Sequence, residues 1–265
     1  MSTKSRPLTI VITGASRGLG AGMARTFLER GHKVAACSRS PPPESLRTSC
    51  DNDGRLYYQS NVDVCSPDAV EQFLENTSKA LGPPDVWINN AGILNPIKPI
   101  RDTNIADFKK NIEVNLMGTF HGTKAFINYC RSRASDGSPA AVPSTLVNIS
   151  SGAAVKGYPG WGAYCSSKGA VDRLTECALA EEQSDESSNL CFRAYSIAPG
   201  VIDTDMQTEI RNTSKSDFPM VEKFHEIKAN DSFNTAPYVA IEIEKLILLD
   251  GPQTLPVVQR LPSEK

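Results

Sequence analysis

The octapeptide Thr13-Gly14-Ala15-Ser16-Arg17-Gly18-Leu19-Gly20 restricts the fold more than any other part of the chain. It follows an apolar run, Leu8-Thr9-Ile10-Val11-Ile12, and precedes a stretch where Met23, Phe27 and Leu28 keep helical spacing until Gly31. Glycines at 14, 18 and 20 permit a tight turn and a close approach to the backbone. The helix start then offers free N–H groups and a partial positive charge to a pyrophosphate. Three glycines in a loop are a weak signal alone. The strand before them and the helix after them supply the context that dinucleotide binding requires.

The same alternation continues down the chain. Lys33–Cys37, Leu56–Gln59, Asp85–Ile88, Leu146–Ile149 and Phe192–Ile197 read as further strands. Ser66 before Pro67 reads as a helix cap, Pro41-Pro42-Pro43 as a loop, and the stretches near 104–130 and 160–180 as helices. Leu255-Pro256-Val257-Val258 reads as a short edge strand, because its proline cannot donate to a ladder. Strands alternating with helices predict an α/β fold with parallel pairing through right-handed crossovers. Two polar stretches, Arg131 to Ser144 and Glu181 to Asn189, read as exposed loops, since the alternation resumes beyond each. One domain over residues 1–265 is therefore expected.

Composition narrows the partners. A formal net charge of −2 gives no electrostatic case for nucleic acid or an anionic membrane. No apolar segment approaches the ~20 residues that span a bilayer, and the N-terminus lacks the pattern of a secretory signal. Seven cysteines without a C-x-x-C pair point to reduced thiols in a cytoplasmic protein. His32, His121 and His225 lie too far apart in sequence to suggest a metal site, so no metal is expected.

Cofactor choice turns on the end of the second strand. An acid there would bind a ribose 2′-hydroxyl and favour NAD. This chain has Ser38-Arg39 instead, and Arg17 lies in the glycine turn. Two guanidinium groups converging on one spot suit a 2′-phosphate, which predicts NADP(H).

Further on, Tyr164 and Lys168 stand one helical turn apart on a shared face, with Ser151 upstream. A phenol titrates near ~10, and a neighbouring cation favours the phenolate. The pair is thus suited to exchange a proton with a substrate oxygen near neutral pH.

Together these segments resemble one family. The turn at 13–20, Asn89-Asn90-Ala91-Gly92 after the fourth strand, Asn115 in Val114-Asn115-Leu116, Ser151 after Asn148-Ile149-Ser150, the Tyr164/Lys168 pair and Pro199-Gly200 resemble the short-chain dehydrogenase/reductase family from about residue 8 to 206. The resemblance implies a Rossmann-type, doubly wound fold whose seven-stranded parallel sheet is flanked by helices. It implies Tyr164 as proton donor to a carbonyl oxygen and Lys168 as the residue that lowers the phenol's pKa and holds the nicotinamide ribose. Ser151, rather than Ser150, is implied to bond the substrate carbonyl, and Asn115 to support a water relay to Lys168. For the cofactor it implies a bed formed by Gly14, Ser16, Arg17, Gly18, Leu19 and Gly20, with Asn89 and the Asn90, Ala91, Gly92 turn flanking it. Asp63 and Val64 are implied to hold the adenine, Pro199, Gly200, Val201 and Ile202 to line the cofactor, and Thr204 after them to contact the carboxamide. A homodimer or homotetramer through the helices near 104–130 and 160–180 is also implied, with Met117, Phe120, Ala125 and Phe126 as a candidate face.

Substrate choice in such enzymes lies after the sixth strand, here about 205 to 235, where Phe218, Met220, Phe224 and Phe233 suit either a lid over a flat substrate or a helix pair packing its own apolar face. Pro199 to Gln207 resembles the sepiapterin reductase and benzil reductase branch. Gly251 to Lys265 does not match the sepiapterin reductase ending, which includes an acidic residue implicated in pterin anchoring. The expected activity is reduction of a small ketone, diketone or aldehyde by NADPH. The alternatives are an NAD-dependent alcohol dehydrogenase of the same family, or a non-catalytic dinucleotide sensor. The sensor would normally have lost the tyrosine or the lysine, and both are kept.

Overall fold

The structure is a computed structural model of the chain and describes residues 6–47, 54–136, 142–185, 190–249 and 251–265. Cys50 and the middles of both polar stretches lie outside the described residues. The strands are β1 (Thr9–Thr13), β2 (Lys33–Cys37), β3 (Leu56–Gln59), β4 (Val86–Asn89), β5 (Ser144–Ile149), β6 (Phe192–Ala198) and β7 (Val258–Arg260). All pair in parallel in one seven-stranded sheet of order β3-β2-β1-β4-β5-β6-β7. The helices are α1 (Gly18–Glu29), α2 (Glu44–Arg47), α3 (Pro67–Leu81), α4 (Ile105–Ile112), α5 (Gly118–Ser135), α6 (Gly162–Ser184), α7 (Asp205–Arg211), α8 (Val221–Ala229) and α9 (Ala236–Ile247).

Because strand side chains alternate, β1 serves both faces of the sheet. Ile10 and Ile12 pack under Met23 and Phe27 of α1 and Val239 and Ile243 of α9. Val11 joins Trp87, Leu146, Phe73 of α3 and Phe126 of α5 on the other face. The Trp87 ring contacts Phe73 edge-on and Phe126 in a stack, each at 6.1 Å. The Ser66 cap forms as expected, accepting from the Ala69 N–H at 3.3 Å. Phe126 and Ala125 are therefore sheet-facing core residues, while Phe120 points outward at 37% exposure, so the apolar positions of this helix divide between two faces.

The seventh strand begins later than its sequence suggests, at Val258 rather than Leu255. Pro256 has no N–H to give. In its place the Gln253 side chain occupies the edge of β6, its Oε1 accepting from the Ala194 N–H and its Nε2 donating to the Ala194 carbonyl. The short α2 after the prolines, and α9, complete the helices. Buried Arg193 of β6 donates to the carbonyls of Ile247, Leu249 and Gly251 and so closes the end of α9.

A buried histidine ties α9 to the first βα unit. The Leu8 N–H donates to His32 Nδ1 at 3.2 Å, which puts the ring proton on Nε2, and Nε2 donates to Glu244 Oε1 at 2.7 Å. Arg30 bonds the second carboxylate oxygen. Glu244→Ala strands the buried imidazole donor and is expected to cost about 2–4 kcal/mol. Thermal unfolding should then shift down by roughly 5–15 °C. A variant melting within about 2 °C of wild type would remove this tie from the account.

Candidate active site

Gly14 and Gly18 both have left-handed backbone, at φ +71° and +56°. A Cβ on Gly14 would stand 2.7 Å from the Ala91 Cα, and one on Gly20 would stand 2.5 Å from the Gly14 carbonyl oxygen. The glycine turn thus lies directly against the Asn90-Ala91-Gly92 turn after β4. Asn90 Nδ2 donates to the carbonyls of Thr13 and Gly14, and Thr13 Oγ1 accepts from the N–H groups of Asn90 and Ala91. Ser16 is half-buried, and Leu19 packs on the core. This bed of bare backbone at the start of a twelve-residue helix fits a dinucleotide pyrophosphate.

Arg17 Nη1 pairs with Asp205 at 3.1 Å, both side chains mostly exposed. Thr204 sits beside it, 3.2 Å from where a Cβ on Gly18 would be. Arg39 is exposed at the end of β2 and helps hold the Asp63 carboxyl below its usual range; the main cause there is the Cys65 N–H, which bonds Asp63 at 3.0 Å. Ser38 is buried, its hydroxyl shared by the Ser40 carbonyl and the Tyr58 hydroxyl. The Val64 carbonyl accepts from His121 Nδ1 at 2.9 Å.

Asn89 does not flank the cleft. It is 4% exposed and belongs to the core, where Nδ2 donates to Asn148 Oδ1 and the Thr119 carbonyl and Oδ1 accepts from Trp87. Its place at the end of β4 turns the side chain toward α5, so only the residues after it reach the cleft.

Four candidate catalytic side chains come together at the C-terminal ends of β4 and β5. Ser151 starts a short 3-10 turn, and its hydroxyl accepts from the Ala153 N–H at 3.1 Å. The same hydroxyl draws the Tyr164 phenol's pKa down. The Ser150 hydroxyl is buried without a partner among the described residues. Lys168 Nζ donates to the Ile149 carbonyl at 2.7 Å and lies 5.9 Å from the Tyr164 ring centroid. Burial pushes the phenol's pKa up, against the expected lowering, and the Ser151 bond pulls it back only in part. Burial likewise pushes the Lys168 ammonium down to about 8.

Asn115 occupies a π-helical turn, Glu113–Met117, between α4 and α5. Its Oδ1 accepts from the Ile93 N–H, and its Nδ2 donates to the Ile93 carbonyl, Asn111 Oδ1 and Ser167 Oγ. Gly92 separates it from the lysine: a Cβ there would stand 3.2 Å from Asn115 Oδ1 and 3.6 Å from Lys168 Nζ. Sequence reasoning missed Asn111 and Ser167, which fix the orientation of this amide. The spacing Asn111/Asn115 was the available signal, since residues four apart on a helix face one way.

The segment after β6 packs on an aromatic cluster beside Tyr164. Trp161 stacks on Phe218 at 4.8 Å and meets the Tyr164 ring edge-on at 5.8 Å, with Phe224 at 5.5 Å and Tyr158 at 5.2 Å. Leu94 and Ile210 complete this cluster, with Met206 and Met220 at its edge. Asn95–Glu209 and Lys98–Asp217 bonds tie the segment to the loop after β4. Asn234, also missed, supports the other wall. Its Nδ2 donates to the Pro199 carbonyl and its N–H to the Val201 carbonyl, and Ile202 pairs with it as an isolated bridge. Gly200 lies against it, since a Cβ there would come 2.5 Å from Asn234 Nδ2.

Fold and site together define a Rossmann-type oxidoreductase that uses a nicotinamide dinucleotide. The short chain dehydrogenase family model matches residues 8–215, and the chain belongs to that family. It is 34% identical over 238 residues to a benzil reductase ((S)-benzoin forming) of Bacillus subtilis (strain 168), covering 87% of this chain and 89% of the relative. It is 29% identical over 208 residues to an NADPH-dependent pterin aldehyde reductase of Arabidopsis thaliana, covering 78% of this chain and 80% of the relative. The crystal structure of the KRED1-Pglu enzyme superposes with a TM-score of 0.81 at 29% identity, over 95% of this chain and 99% of that one.

Proposed function

We propose that the protein is an NADPH-dependent carbonyl reductase acting on a small ketone, diketone or aldehyde, with an aromatic 1,2-diketone as the leading candidate. The observation that carries this is the Tyr164 ring set between Lys168 Nζ, 5.9 Å from its centroid, and Trp161, edge-on at 5.8 Å, with the Ser151 hydroxyl acting on the phenol. The Trp161, Phe218 and Phe224 rings are buried against one another and firm the ground behind Tyr164, and two hydroxyls suit an oxygen that gains negative charge. The similarity to a benzil reductase agrees with that chemistry.

The cofactor would lie on Gly14, Ser16, Arg17, Gly18, Leu19 and Gly20, with Ser38 and Arg39 at the 2′-phosphate and Asp63 and Val64 at the adenine. Asn90, Ala91, Gly92, Pro199, Gly200, Val201, Ile202 and Thr204 would border its nicotinamide half. When bound, it supplies the hydride. Ser151 orients the substrate oxygen, and Tyr164 gives that oxygen its proton. Lys168 keeps a positive charge beside the phenol, and Asn115, held by Asn111, orients the groups behind the lysine. Residues 205–235 form the substrate wall. Assembly as a homodimer or homotetramer would use the helices near 104–130 and 160–180, the first of which exposes Ile105 and Phe120.

The test is loss of NADPH absorbance over a panel of carbonyl compounds that includes benzil. Turnover of an aryl diketone, at least ~10-fold better with NADPH than NADH, is the expected result. Arg39→Ala should raise the KM for NADPH about 10- to 100-fold, the equivalent of one charge-assisted bond, and leave NADH untouched. A wild-type preference for NADH would overturn the 2′-phosphate assignment.

A further inference from the structure

A buried carboxylate lies one helical turn beyond Lys168. Asp172 is 6% exposed, and its Oδ1 accepts from the Ser196 hydroxyl of β6 at 2.7 Å. Residues four apart on a helix share a face, so Tyr164, Lys168 and Asp172 form one inward row on α6. All three are buried. A carboxylate taken out of water needs more than a single hydroxyl to offset its desolvation, and the row supplies the opposite charge.

We propose that Asp172, anchored by Ser196, is a positioning residue for proton transfer, the buried counter-charge that keeps Lys168 an ammonium ion at neutral pH. This rests on the reading of Lys168 as the partner of Tyr164. Burial works against the ammonium, and Asp172 is the charge that works for it. The other elements facing the ammonium contribute neutral groups: the Ile149 carbonyl from β5, the Asn115 amide across Gly92, and the Tyr164 phenol from the same helix. Arg260 of β7 is exposed, with its Nη1 3.9 Å from where a Cβ on Gly152 would stand.

Asp172→Asn keeps the shape and leaves an oxygen for Ser196, while removing the charge. The decisive measurement is the Lys168 Nζ titration, followed by NMR on lysine-labelled protein with the resonance assigned from Lys168→Arg. In Asp172→Asn it should move down by about one pH unit or more, and Asp172→Glu should restore most of the shift. The alkaline limb of kcat/KM should move the same way, with the carbonyl KM changed less than about threefold, because the carboxylate lies one helical turn beyond the lysine and bonds Ser196 of β6. A folded Asp172→Asn protein whose Lys168 titrates as in wild type overturns the proposal. The wild type gives a second test that needs no variant: the Asp172 carboxyl carbon should show an inflection where Lys168 loses its proton, and a flat trace there overturns the proposal. Neither NMR readout needs turnover. A shifted lysine in a protein inactive on every carbonyl would support the pairing while sinking the reductase reading.

Discussion

Tyr164→Phe is expected to lower carbonyl reduction about 10²- to 10⁴-fold while NADPH still binds. The phenol oxygen is the part whose acidity Ser151 influences, whereas the ring is the part that packs edge-on against Trp161 at 5.8 Å. Phenylalanine keeps the ring contact and removes only the proton donor. Folding stability should therefore hold, since the lost hydroxyl is itself a buried polar group. Initial rates set against a fluorescence titration of NADPH separate the two effects. A rate within tenfold of wild type, at unchanged affinity, would take the proton-donor role away from Tyr164. The direction of the pKa shifts predicts the pH dependence. Burial holds the phenol protonated, so reduction should persist through neutral pH and decline only as the pH rises past the Lys168 titration near 8.

Gly14→Ala is the second large effect. Two separate penalties meet at this position: the left-handed backbone, and a methyl group driven to 2.7 Å from the Ala91 Cα. Left-handed backbone costs a non-glycine residue about 1–2 kcal/mol and overpacking about 1–3 kcal/mol, so a stability loss of about 2–5 kcal/mol is expected. The turn must open to admit the methyl, which shifts the backbone N–H groups of the phosphate bed, and NADPH affinity should fall at least ~10-fold. Gly31→Ala is the matched control. Its φ is +93°, yet nothing lies within 4 Å of its would-be Cβ. Chemical denaturation should register only the backbone cost there, with cofactor affinity unchanged. Equal losses of affinity in the two variants would show that the close approach at Gly14 is not what matters.

The first six strands are legible because each is a short, mostly apolar run with turn signals at its ends, and their alternation with helices leaves parallel pairing as the consistent topology. Local chemistry set the limits. Leu255 to Val258 read as a strand by apolarity, but Pro256 and the Gln253 side chain push the ladder onward to Val258. Helix α9 lies outside the elements that the sequence pattern predicts, although Val239, Ala240, Ile243 and Ile247 mark its buried face. Tyr164, Lys168, Ser151 and Asn115 were found through their order along the chain. Their supporting groups were not, because Asn111, Ser167, Asp172 and Asn234 act through contacts between distant segments that leave no local pattern. Asn89 shows the converse: its motif reads as cofactor-facing, yet pleat alternation at the end of β4 turns it into the core. Arg17 was assigned by its charge, and the carboxylate it pairs with lies far along the chain.

The π-helical turn at Glu113–Met117 has a consequence for rotational phase. A regular helix advances ~100° per residue, so every side chain after an added residue is rotated by that angle relative to those before it. Upstream of the turn, Asn111 bonds the loop after β4; downstream, Gly122, Ala125 and Phe126 lie against the sheet. A strictly regular helix through both segments would hold one set in place only by turning the other away. The wide turn is the phase offset that lets one run of helix feed the active site at one end and the core at the other. Removing a single residue there would therefore disturb the reaction centre and the packing together.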